Sequence, residues 1–62
     1  MDNTIRDKAS IIEQEAKDIL DCLDKFKGNK DLKNIKKYFK EIQSISTDGV
    51  EQIENLERMI NE

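Results

Sequence analysis

The stretch FKEIQSISTDGVEQIENL, residues 39–56, decides how this chain folds. Apolar residues recur every three or four positions on both sides of STDG, which indicates helix with one buried face. The STDG residues themselves are weak helix formers, and Asp48 followed by Glu51 has the spacing of a capping box. The stretch therefore allows one long helix, continuous or kinked at residues 46–49, or two helices joined by a turn.

The composition is typical of a small helical protein. The chain has 62 residues, of which 40% are charged, and it contains no proline, histidine or tryptophan. At this length a lone hydrophobic core is marginal. We therefore expect a single helical domain over residues 1–62, stabilised in part by association.

An unbroken heptad pattern predicts a first helix at about residues 4–27. Thr4 and Asp7 resemble a capping box at its start, and Lys25 and Lys27 precede Gly28 at its end. The predicted seam occupies the a and d positions of the heptads. It consists of Ile5, Ala9, Ile12, Ala16, Ile19, Leu23 and Phe26.

A second helix is predicted at about residues 30–61, after a GNKD turn in which Asn29 is a candidate cap. Its a and d positions are Leu32, Ile35, Phe39, Ile42, Ser46, Gly49, Ile53, Leu56 and Ile60. Folding the chain about Asn29 places Ile19 opposite Phe39, and Ala9 opposite Gly49. We expect the small Ala9 and Gly49 to permit close backbone approach.

The fold class predicted is all-α, a coiled-coil-like antiparallel hairpin whose second helix is kinked or broken near residues 46–49. Further apolar residues widen the seam beyond what one facing helix covers. Those expected to contact a partner are Leu20, Cys22, Tyr38, Ile45 and Met59. A second copy would complete a four-helix bundle. The alternative is a three-helix bundle, in which a third helix folds back over the strip.

Charge is strongly segregated along the chain. Residues 1–24 carry a net charge of −4, residues 25–40 carry +6, and residues 41–62 carry −5. A hairpin therefore has a basic turn end and an acidic open end, and two antiparallel copies are complementary. A stripe of four lysines, Lys30, Lys33, Lys37 and Lys40, forms the expected electrostatic surface.

Catalytic and cofactor motifs are not evident. The chain has no histidine, its one cysteine forms no CxxC motif, and no serine has a recognisable base. We expect no enzyme activity, no cofactor, no metal site, no small-molecule substrate and no membrane association. The lone Cys22 and the lack of a signal-like or membrane-spanning run favour the cytoplasm.

The function expected from these features is that of a small adaptor, inhibitor or scaffold. It would self-associate as a homodimer, or dock an apolar helix face on a helical protein. The alternative is an RNA- or DNA-binding regulator that uses the lysine stripe of residues 30–40 on a dimeric hairpin.

Overall fold

The computed structural model describes residues 3–61, with side chains through residue 60. Over this range the chain forms two helices, α1 (Asn3–Asp24) and α2 (Asn29–Asn61), arranged as a hairpin. The Cα atoms extend 53 Å along the long axis, with a radius of gyration of 15.1 Å. A compact chain of this length has a radius of gyration of about 11 Å, so the molecule is elongated. The predicted all-α hairpin is confirmed.

The first helix ends three residues earlier than the sequence predicts, and the cap of the second helix is a different residue. The Asp31 carboxylate accepts hydrogen bonds from the backbone N–H groups of Lys27 (2.7 Å) and Gly28 (3.3 Å). This is the acidic half of a capping box, with Gly28 in the N-cap position. Because the N–H groups of Lys27 and Gly28 are bound to the start of α2, α1 ends at Asp24. Asn29, the predicted cap, is the first residue of α2.

The second helix runs through residues 46–49 without a break. No glycine among the described residues has a positive φ, so Gly49 keeps helical geometry. The Thr47 hydroxyl donates a 3.0 Å hydrogen bond to the Gln43 carbonyl one turn earlier, as in a helix interior, and Asp48, the candidate cap of a new helix, lies within α2. The expected break and the three-helix alternative are therefore wrong.

The two helices contact each other through a face that differs from the predicted seam. Ile19 is 6% exposed and is the buried hydrophobic residue of the described chain. The half-buried apolar residues around the helix contact are Ile5, Ile12, Cys22, Ile35, Tyr38, Ile42, Ile45 and Leu56. Phe39, the predicted partner of Ile19, is instead 57% exposed. Compared with the predicted packing, each helix is rotated about its axis. Its g positions, which carry Cys22, Tyr38 and Ile45, face the other helix in place of its a positions.

The apolar stripe is wider than the part that the two helices cover. At the a positions α1 offers the small Ala9 and Ala16, whereas Tyr38 and Ile45 at g positions of α2 offer larger surfaces. Apolar stabilisation scales with the area removed from water. A single pair of helices covers only part of a wide stripe. In the structure the d and g positions are covered, and the a positions, among them the large Phe39, are left on one outer side of the hairpin.

Candidate interaction surface

One side of the hairpin carries a row of large exposed apolar side chains, which we call the apolar face. In α2 the row follows seven-residue spacing from Leu32 to Phe39 and then to Ile53, which keeps these residues on one side of the helix. The members of the apolar face are Leu20, Leu23, Leu32, Phe39, Val50 and Ile53, which are 41–60% exposed. Large apolar side chains exposed together on one side of a fold are a common feature of interaction sites.

A groove of about 400 Å³ opens on this face, between the first half of α1 and the second half of α2. We call it the apolar groove. Its floor is made of small residues, Ala9 from α1 and Ser46 and Gly49 from α2. Its walls are Ile5, Ile12, Ile45, Val50 and Ile53, and Lys8, Glu54 and Glu57 complete the lining. Since this groove contains both Ser46 and Ile53, it shares the side of α2 on which Phe39 lies.

The groove corrects the expected close approach of Ala9 and Gly49. A Cβ atom placed on Gly49 would have nothing within 4 Å apart from its own local backbone. The small side chains therefore leave open space beside Gly49, which forms part of the groove. The sequence signal for the groove was present, because small residues occupy successive seam positions, but their spacing does not reveal whether the space is closed or open.

The residues predicted to contact a partner differ in how exposed they are in the structure. Leu20 is 60% exposed and Met59 is 73% exposed. Cys22, Tyr38 and Ile45 are half-buried. Asp18 and Cys22 of α1 lie close enough to Tyr38 of α2 to act on its charge. The negative charge of Asp18, followed by partial burial and the Cys22 thiol, raises the pKa of Tyr38.

The opposite side of the hairpin is polar and carries a carboxyl pair. Glu15 of α1 and Glu41 of α2 lie next to each other across the helix contact, and both are half-buried. A hydrogen bond to Glu41 that forms when one carboxyl is protonated, then burial, then the charges of Glu41 and Asp18 raise the pKa of Glu15, and Lys37 opposes them. Ile11, which is 46% exposed, is the exposed large apolar residue of α1 that lies outside the apolar face.

The predicted lysine surface is exposed on α2. Lys33, Lys36, Lys37 and Lys40 line an open depression of about 450 Å³ together with Glu41 and Ser44. Lys30 is exposed one turn earlier and does not line the depression. The salt bridges found among residues 3–61 join Lys17 to Glu13 and Lys25 to Asp21, within α1 and its end. The lysines of the depression therefore have no salt bridge in the described part of the chain.

The described residues include no group of three or more histidine, cysteine or acidic side chains placed to hold a metal ion. None of the helices in this range combines the length and hydropathy needed to cross a bilayer. The sequence matches no known family model, and comparisons with characterised proteins and with solved structures give no significant match.

Proposed function

We propose that this chain is a small non-enzymatic interaction protein that docks its apolar face on helices of a protein partner. The partner is another copy or a different protein, and docking serves a regulatory, inhibitory or scaffolding role. The observation that carries this proposal is the exposure of Leu23, Phe39 and Val50, each more than half exposed on one side of the hairpin.

Physical chemistry supports this use of the face. Fully burying one such side chain contributes on the order of 1.5–3 kcal/mol relative to leaving it in water. The hairpin itself buries few side chains, so its stability is expected to rise when the apolar face is covered. Docking of an apolar helix face into a complementary surface is a common mode of protein recognition.

A site-specific photo-crosslinking experiment tests this function. A benzophenone amino acid replaces Leu23 on the apolar face in one variant and Ile11 on the opposite side in a second. Upon irradiation in the expressing cells, we expect adducts, with the chain itself or with another protein, from position 23 and far fewer from position 11. Absence of adducts at position 23, or equal adducts at both, would contradict the proposal.

Nucleic-acid binding is a second candidate function, favoured by the four lysines that line one depression without salt bridges. Lysine ammonium groups bind phosphates as point charges, and such binding weakens steeply with salt. A mobility shift with mixed RNA and duplex DNA at low salt provides the test. The double substitution Lys33→Glu and Lys37→Glu should abolish a shift that Phe39→Ala leaves unchanged. No shift with the wild-type chain contradicts this candidate.

A further inference from the structure

The apolar face carries both a protruding aromatic side chain and a space that would accept one. Phe39 projects from α2 and is 57% exposed. The apolar groove, about 400 Å³ in volume, lies further along the same side and has Gly49 in its floor. An apolar cavity of about 150 Å³ accepts a benzene molecule, so the groove can accommodate a phenyl ring. Phe39 cannot reach the groove of its own chain, because ten helical residues separate it from Gly49 by about 15 Å.

We propose that the occupant of the apolar face is a second copy of this chain, packed antiparallel across a two-fold axis. Phe39 of each copy lies in the apolar groove of the other. This inference rests on the proposed docking function and names its partner. A two-fold interface is self-complementary, so one aromatic side chain and one groove per copy make two identical contacts.

The position of the axis agrees with the length of the molecule. For Phe39 to meet the other copy near Gly49, the axis must cross α2 about midway between them, near residue 44. The helix runs from Asn29 to Asn61, so this point lies within one residue of its centre. The two copies therefore overlap over almost their whole length. In that register Leu32 of one copy lies near Leu56 of the other, and both ends of the apolar face are covered.

Charge complementarity favours the same arrangement. The open half of the hairpin, residues 1–12 and 46–62, carries a net charge of −4, and it would lie over the turn half of the other copy, residues 13–45, which carries +1. Lys36 precedes Phe39 by about one helical turn and would approach Glu54 and Glu57, which line the groove of the other copy. A parallel dimer would instead place like charges together, which costs free energy.

The available area is sufficient for a stable dimer. The Cα extents of 53 Å and 16 Å give a broad side with an area on the order of 800 Å². Each partner of a standard protein–protein interface contributes about 800 Å². A four-helix arrangement would also shield the groove and the exposed a positions from water in a single step.

Two complementary variants test this inference by sedimentation equilibrium. Phe39→Ala removes the aromatic side chain, and Gly49→Leu fills the groove. Neither change should unfold the hairpin, because Phe39 is largely exposed and a side chain at Gly49 enters open space. Circular dichroism of each variant checks this. We expect each variant alone to raise the dimer dissociation constant about a hundredfold, since two buried contacts are lost in each dimer.

Mixing the two variants gives the decisive result. In a mixed pair, Phe39 of the Gly49→Leu chain meets the open groove of the Phe39→Ala chain, and the small Ala meets the filled groove. We expect the mixture to form heterodimers far more tightly than either variant alone. The control Ile11→Ala, on the opposite side, should dimerise as the wild type does, and added salt should weaken the wild-type dimer.

Three outcomes would overturn the inference. A wild-type chain that stays monomeric at every concentration has no second-copy partner. If the wild type dimerises but mixing Phe39→Ala with Gly49→Leu does not restore tight association, the proposed contact of Phe39 with the groove is absent. If Ile11→Ala weakens dimerisation as much as Phe39→Ala does, the interface lies on another face. The proposed docking function fails separately, when the crosslinker at position 23 captures neither this chain nor any other protein.

Discussion

The carboxyl groups of Glu15 in α1 and Glu41 in α2 lie side by side across the helix contact. With both ionised, neither can donate a hydrogen bond, and Glu15 Oε2 is buried without a hydrogen-bond partner among the described residues. A proton on one carboxyl supplies the missing donor. The resulting bond to Glu41 is the main reason that the pKa of Glu15 is raised, with burial and the charges of Glu41 and Asp18 adding to it.

This pair predicts a pH-dependent stability. Because the folded-state pKa of Glu15 exceeds its unfolded value, the folded chain binds the proton more readily. The contribution of Glu15 to the free energy of unfolding therefore rises as the pH falls from the raised pKa toward the ordinary glutamate pKa, and is lost as the pH rises. Glu15→Gln should raise the melting temperature at neutral pH and reduce the stabilisation gained on acidification.

Thermal unfolding followed by circular dichroism between neutral and mildly acidic pH measures this effect. Glu13→Gln is a matched control, since Glu13 is an exposed residue of the same helix, 3.8 Å from Lys17. We expect Glu13→Gln to keep the pH dependence of the wild type. Identical pH profiles for Glu15→Gln and the wild type would show that the carboxyl pair has no thermodynamic effect.

The Asp31 cap should be important for the stability of the turn. Asp31→Ala removes the acceptor for the backbone N–H groups of Lys27 and Gly28. Loss of a capping side chain costs roughly 1 kcal/mol, which urea unfolding can resolve. Asp31→Asn retains one oxygen acceptor and should recover part of the loss. If Asp31→Ala is as stable as the wild type, the two bonds are replaced by water at no cost.

Ile19 should be the residue whose truncation is most destabilising among the isoleucines of α1. Ile19→Ala removes buried apolar atoms and is expected to cost roughly 2 kcal/mol, the low end for core isoleucines, because so thin a hairpin can collapse around the gap. Ile11→Ala makes the same chemical change at an exposed site and should cost about 0.5 kcal/mol or less. Equal losses in urea unfolding would contradict the burial pattern.

Gly49→Ala should stabilise the hairpin. The residue lies inside α2 without positive φ, and an added Cβ has open space. Alanine favours a helix interior over glycine by about 1 kcal/mol. The comparison is made in the Phe39→Ala background, so that association between copies does not contribute to the measured free energy. A destabilised Gly49→Ala variant would indicate that α2 is interrupted at this position, as the STDG composition alone suggests.

The sequence by itself determined the class of fold. The three-four spacing of apolar residues, with GNKD between two such patterns, was enough to predict two antiparallel helices. The helix ends were less accurate, because the bonds from Lys27 and Gly28 to Asp31 depend on how the turn closes. The position of the basic segment 25–40 around the turn followed directly from residue order, but Asp18, Asp21 and Asp24 at the end of α1 place acidic charge beside it.

Only the tertiary structure decided whether α2 is continuous and which side of the apolar stripe is packed. At residues 46–49 the weak helix propensity of STDG favoured a break, whereas the heptad spacing of apolar residues continued across the segment and favoured one helix. The sequence alone gave neither indication clear priority. The heptads contain both an a/d seam and a d/g seam, and a sequence pattern cannot rank them. Tertiary packing ranks them by the area that two helices can bury against each other. That choice leaves Phe39 and the groove around Gly49 together on the outer face.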